Sequence, residues 1–198
     1  MKKPAPVAVP IHPLLAARWS PRALDAGRPV PRESLRALLE AARWAPSCFN
    51  DQPWRFLVFD GSDEAALGAA RDCLVEGNGW ARSAPVLVLS VARETFQRNG
   101  KPNRHGQHDV GLATENLLLQ AEALGLAAHP MAGFDSARAR ESFGIPAGFT
   151  PMAMIAVGFS APEGSLSPEA LEKEMAPRRR QPLGEVAFAG RWDTPFPG

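Results

Sequence analysis

Two groups of arginines stand out from the rest of the chain. Arg18-Trp19-Ser20-Pro21-Arg22 sets two guanidinium groups and a hydroxyl close together, and Arg178-Arg179-Arg180 forms a second run. Guanidinium groups stay charged and pair bidentately with phosphate oxygens, so such clusters suit a phosphorylated ligand. A solvated basic surface is the plainer reading of either run alone, and spacing does not join them. A third segment, residues 45–54, carries Ser47, Cys48, Asn50 and Gln52 between Pro46 and Pro53, with Trp44 and Trp54 at its flanks. Amide side chains both donate and accept hydrogen bonds, which suits the edge of a planar heterocycle. Prolines stiffen the segment and lower the cost of ordering it on binding. Its ordinary alternative is a helix-to-strand connection.

Signatures of other chemistries are missing. There is no Gly-x-Gly-x-x-Gly after a strand, no Walker loop and no Gly-x-Ser-x-Gly elbow. His105 and His108 have ligand-like spacing beside Asp109, but no second cluster supports them, and they read as loop and helix-start residues. With 22 Lys+Arg against 21 Asp+Glu, the net charge of +1 gives no global case for nucleic acid or an anionic membrane. Two cysteines, Cys48 and Cys73, are too few for a disulfide framework, and a reduced, cytoplasmic setting is expected. The longest apolar run, residues 84–92, is about half the length of a membrane helix. Met1-Lys2-Lys3 followed by apolar residues has the look of a signal peptide, yet Pro4, Pro6, Pro10 and Pro13 break any helix there. Residues 1–10 are expected to form a flexible, extended arm that packs on a partner chain.

These residues need elements to position them. The 198-residue length and 45% hydrophobic content suit one domain with a sizeable core. Leu35, Leu38, Leu39 and Ala42 repeat at helical spacing over residues 31–44, just before the Ser–Asn–Gln segment. Strand patterns follow over 54–59, 85–91, 127–131 and 152–159, the second apolar throughout as in a strand buried on both faces. Further helices are expected over 63–75, 109–124, 136–143 and 167–175. The 109–124 helix is apolar around most of its circumference, so it belongs at the centre of the fold. About four strands and five helices in alternation give an α/β or α+β layout. The tail from Pro177 has no core of its own and is expected to dangle or cross a neighbouring subunit.

In this order the segments resemble the nitroreductase family of FMN-dependent oxidoreductases. The resemblance rests on Arg18-x-Ser20-x-Arg22, the helix end Glu40 to Ser47, and Asn50-x-Gln52-Pro53-Trp54. It continues through residues 109–126, Pro130 to Phe134, and Arg178-x-Arg180-x-Pro182-Leu183-x-Glu185-Val186, and so spans residues 11 to 192. It implies an α+β three-layer α/β/α sandwich with a mixed central sheet of four to five strands. One domain would cover 11–198, with its tail crossing to the partner in an intertwined homodimer. FMN would lie at the dimer interface.

The resemblance also implies roles. Arg18, Trp19, Ser20 and Arg22 would hold the phosphate, ribityl chain and pyrimidine edge of the flavin, with Arg178 and Arg180 returning to the phosphate. Pro46, Ser47 and Cys48 would approach from the other subunit, Asn50 and Gln52 would meet the ring or its polar edge, and the Ala132–Gly133 backbone would face N5. NADH or NADPH would be the donor, and a nitroaromatic, quinone or similar small molecule the acceptor. The flavin carries the redox chemistry, so no catalytic side chain is expected. A flavin-binding protein of the same fold that consumes flavin or regulates, rather than reduces, is the alternative. Cys48 stands where many members have a small hydroxyl residue and is read as a small hydrophobe. Ala132 stands where several carry an acid. The stretch from Trp54 to Asp109 is short for the family, and Trp80, Phe96 and a lid over 97–107 are its substrate-channel candidates.

Overall fold

A computed structural model describes residues 2–162, 164 and 166–197. The elements in chain order are α1 (Pro13–Ala17), α2 (Arg32–Arg43), β1 (Trp54–Asp60), α3 (Glu64–Asp72), β2 (Val86–Arg93), α4 (Gly106–Ala123), β3 (Ala127–Met131), α5 (Ser136–Ser142), β4 (Phe149–Gly158), α6 (Pro168–Met175) and α7 (Leu183–Val186). Two 3-10 segments, Cys48–Asn50 and Glu76–Ser83, join them. No helix among the described residues is long and apolar enough to cross a membrane.

Alternation along the strands divides the core into two layers. Leu87, Leu89, Met154 and Ala156 pack with Leu67 and Ala70 of α3 and Ala139 of α5. Val86, Val88, Ile155 and Val157 pack on the other face with Leu35 and Leu38 of α2 and Val110, Leu117 and Ala121 of α4. A strand buried on both faces must be apolar at successive positions, which is why β2 shows no alternation in sequence. This is the three-layer α+β sandwich expected, with α4 in the layer it shares with α2.

The sheet has four strands in the order β1-β2-β4-β3. The expected mixed sheet is not what the chain forms, since all three pairings are antiparallel. The cause lies in the connections. The crossover through α4 leaves β3 one strand away from β2, running the same way. β4 enters the gap in the opposite sense and pairs with both.

Helix starts follow local chemistry. Asp63, Asp135 and Ser167 accept N–H bonds from residues three ahead and begin α3, α5 and α6. α4 begins at Gly106 rather than near Asp109. A Cβ at Gly106 would lie 2.6 Å from the Arg93 carbonyl oxygen, so only glycine lets the helix start there against β2. α1 and the short α7 are additional to the five expected helices.

Candidate functional site

The Arg18–Arg22 segment leaves α1 and meets the C-terminal segment after α6. Together they line a cleft of about 470 Å³ whose walls include Lys3, Arg18, Trp19, Ser20, Arg22, His129, Lys173, Glu174, Arg178 and Arg180. The two arginine groups, 160 residues apart between Arg18 and Arg178, are thus neighbours. Their guanidinium groups have different work. Arg178 donates at 2.8 Å to three backbone carbonyls, those of Lys3, Ala16 and Arg18. Burial, then the charges of Arg18 and Arg180, push its pKa down. Arg178 is therefore a staple that closes one end of the cleft. Arg18 lies 3.4 Å from Glu115 Oε1. Arg180 donates only to the neighbouring Arg179 carbonyl, and the Arg22 side chain makes no hydrogen bond or ion pair among the described residues. These two leave cationic groups for an anionic ligand, whereas Lys173 is paired with Glu169 at 2.7 Å.

Glu174 holds this arrangement in place and was not singled out from sequence. It is 4% exposed. Its carboxylate accepts from the Arg22 N–H at 2.9 and 3.1 Å and from the Ala23 N–H at 3.2 Å. Lys3 Nζ donates to its backbone carbonyl at 2.6 Å. The side chain looks like another surface acid of an amphipathic helix, so its sequence carries no sign of this role. His129 is a second such residue. Its Nδ1 lies 2.9 Å from the Pro21 carbonyl, which only accepts, so Nδ1 carries the proton. Its ring packs 4.7 Å from that of Trp80. Burial depresses its pKa, overcoming the opposing hydrogen bond to Pro21.

The segment between α2 and β1 lies elsewhere. Phe49, Asn50 and Gln52 have φ of 55°, 55° and 49°, a left-handed region that costs about 1–2 kcal/mol per residue for side chains with a Cβ. Several contacts hold them there. Asp109 Oδ2 accepts from the Cys48 N–H at 2.9 Å, and Ser47 Oγ accepts from the Gln52 N–H at 3.0 Å. Arg93 Nη2 binds the Asp51 carboxylate at 2.9 Å, with the two side chains 12% and 3% exposed. Asp51 Oδ1 also accepts from the Gln97 N–H at 2.8 Å. Strain of this kind, fixed by surrounding structure, clusters at functional sites.

Residues Asn50 and Gln52, with Phe49, Arg55 and Arg98, line a second cleft. None of the 46–52 residues lines the arginine cleft of the same chain. Trp80 and Phe96 are also apart. Trp80 shares a wall with Arg22 and Glu174, whereas Phe96 meets Phe49 edge-on at 6.0 Å. Ala132 and Gly133 follow β3. The Gly133 carbonyl accepts from Asn78 Nδ2 at 2.8 Å, and a Cβ there would lie 2.6 Å from that same nitrogen. Cys48 is half-buried, with its N–H on Asp109. His108 Nδ1 faces Asp109 Oδ1 at 3.1 Å, and no group of three or more His, Cys, Asp or Glu gathers among the described residues.

The sequence profile of the nitroreductase family matches residues 15–76 and 74–159, which run from within α1 through β4. The chain belongs to the nitroreductase family. As a family member it is an oxidoreductase. It is 32% identical over 169 residues to a Thermus thermophilus NADH dehydrogenase, covering 69% of this chain and 80% of that protein. A crystal structure described as an oxidoreductase containing FMN superposes with a TM-score of 0.87 at 38% identity, covering 95% of this chain and 96% of that one. A Desulfovibrio desulfuricans structure in complex with FMN has a TM-score of 0.70 at 30% identity, covering 95% and 100%. In this member the Glu174 carboxylate sets the Arg22 backbone.

Proposed function

We propose that the protein is an FMN-dependent NAD(P)H oxidoreductase acting on a nitroaromatic, quinone or similar acceptor. The observation that carries this reading is the convergence of Arg18, Ser20, Arg22 and Arg180 in one cleft. That donor set fits FMN, because it joins phosphate-binding cations, a hydroxyl for a polyol chain and a fixed positive charge for an electron-rich ring edge. Arg18, Arg180 and Ser20 hold the phosphate and ribityl chain, while Arg22 stabilises negative charge at the pyrimidine edge. Arg178 supports the cleft through the backbone. When bound, FMN supplies hydride chemistry at N5.

The second cleft supplies the rest of the site from a partner protomer. Pro46, Ser47, Cys48, Asn50 and Gln52 do not line the arginine cleft of their own chain, which supports a homodimeric site. Exposed apolar side chains of the arm and tail, among them Val9, Leu183, Val186, Trp192 and Phe196, supply apolar surface for a second copy. The same dimer brings the strained loop and Phe96 over the ligand bound by the partner, to orient the acceptor and exclude water. A cytoplasmic setting accords with the two free thiols.

The test is the visible spectrum of the purified protein before and after anaerobic NADH or NADPH. Flavin bands that bleach with either donor are expected. Bands that persist favour a flavin-binding protein that does not reduce. A colourless protein that refuses FMN overturns the proposal. Arg180→Ala is expected to weaken FMN binding, read by titration of the apoprotein.

A further inference from the structure

The cleft beside the strained loop has a charge pattern that the redox role alone does not require. Arg98 Cζ lies 4.0 Å from the centroid of the Phe49 ring and 5.4 Å from that of Phe96. The guanidinium is thus stacked on one ring and beside another, while its side chain makes no ion pair or hydrogen bond among the described residues. Phe49 is 70% exposed, its backbone is held left-handed, and its ring lies between Arg98 and the edge-on Phe96. The turn that carries Arg98 is also fixed. Phe96 N–H donates to the Lys101 carbonyl and Gly100 N–H to the Phe96 carbonyl, both at 2.8 Å, and Gly100 takes φ +68°.

The unpaired local charges have one sign. Asp51 is the acid of this cleft, and its carboxylate is turned inward, nearly buried, onto Arg93 and the Gln97 N–H. Arg55 faces the same cleft and gives Nη1 to the Trp54 and Gln52 carbonyls. Residues 95–108 include Arg98, Lys101 and Arg104 and no Asp or Glu, in a chain whose net charge is only +1. A stacked guanidinium keeps its planar N–H edge for a carboxylate, which it can bind bidentately.

We infer that Arg98, stacked on Phe49 beside Phe96, selects an aromatic electron acceptor that carries a carboxylate on its ring. This rests on the oxidoreductase reading and adds a substrate class to it. A neutral acceptor finds only the aromatic wall, whereas an anionic one also finds Arg98, with Arg55 adding to the local field.

The test compares 4-nitrobenzoate with 4-nitrobenzyl alcohol, which share the ring and nitro group and differ in charge. KM for the benzoate is expected to be lower than for the alcohol. In Arg98→Ala the ratio of alcohol KM to benzoate KM falls about tenfold, and in Arg98→Lys by less. The wild-type preference shrinks with added salt, as an exposed charge pair requires. Calorimetric titration with benzoate, which is not reduced, reads the cleft without turnover, and binding should weaken about tenfold in Arg98→Ala. Retention of the flavin spectrum shows that the variants are folded. An unchanged KM ratio, or equal benzoate affinity in wild type and variant, overturns the inference. So does a rise in KM for NADPH but not for nitrobenzoate, which would assign Arg98 to the donor's phosphate. If neither acceptor is reduced although NADH or NADPH bleaches the flavin, the nitroaromatic part of the proposed function fails on its own, and the benzoate titration still decides Arg98.

Discussion

The arginine cleft and the loop at 46–52 solve the problem of building a site in opposite ways. In the cleft, the backbone is relaxed and the side chains are costly. Several cations are held near one another, and a buried carboxylate, Glu174, and a stapling guanidinium, Arg178, keep their supporting backbone in place. In the loop, the charges are neutralised within an Asp51–Arg93 pair, and the strain lies in the backbone at Phe49, Asn50 and Gln52. One region stores electrostatic repulsion that an anionic ligand can relieve. The other stores conformational strain that its ion pair and caps maintain without a ligand. The stability of the first should therefore respond strongly to ligand and ionic strength, that of the second mainly to loss of its internal partners.

Removing a partner in the loop should have the largest effect. Asp51→Ala leaves Arg93 buried without its counter-ion, and urea unfolding should show a loss of about 3 kcal/mol. The cleft should lose less on Glu174→Ala, about 2 kcal/mol, since the Arg22 and Ala23 N–H groups lose a charged acceptor. FMN affinity should fall with it, and Glu174→Gln should recover part of both; equal FMN affinity in wild type and Glu174→Ala would remove Glu174 from the site. Next is the strain itself. Gln52→Gly should raise unfolding free energy by up to about 1 kcal/mol, because glycine accepts φ near +50°. A loss of stability there would mean that the loop is not strained.

The smallest effect concerns pH. His129 has its pKa lowered in the folded protein, so folding favours its neutral form. Its contribution to stability is complete above the unfolded value of about 6.5 and declines as pH falls through the lower folded value. Chevron or equilibrium unfolding at pH 7.5 and 5.5 should show that decline, and His129→Asn should flatten it.

Much of this was legible in sequence for identifiable reasons. Charges grouped at 18–22 and 178–180 are visible against a neutral chain, and the apolar run of β2 signals burial on both faces. The order of the strands was not legible, because the same βαβ pattern allows β4 to insert between β2 and β3 in the reverse sense. The loop strain was hidden too. Left-handed positions are ordinarily announced by glycine, and here they are filled by Phe49, Asn50 and Gln52, of which only Asn50 is at ease there. Glu174 was invisible because a buried acid in α6 differs from Glu169 only by what it meets 152 residues away. Asp109 reads as a helix-starting acid; its use as acceptor for Cys48 needs the α2–β1 segment folded against it.

The staple made by Arg178 also sets an order of events at the ribosome. The four strands and the helices that sandwich them are complete once residue 158 has emerged, so the sheet can assemble while synthesis continues. The cleft cannot, because the carbonyls of Lys3, Ala16 and Arg18 wait for a guanidinium made 160 residues after Arg18. A nascent chain halted after β4 would lack both the Arg178 guanidinium and the Glu174 carboxylate that hold the cleft. If the cleft holds FMN as proposed, loading of the cofactor waits for the segment after α6.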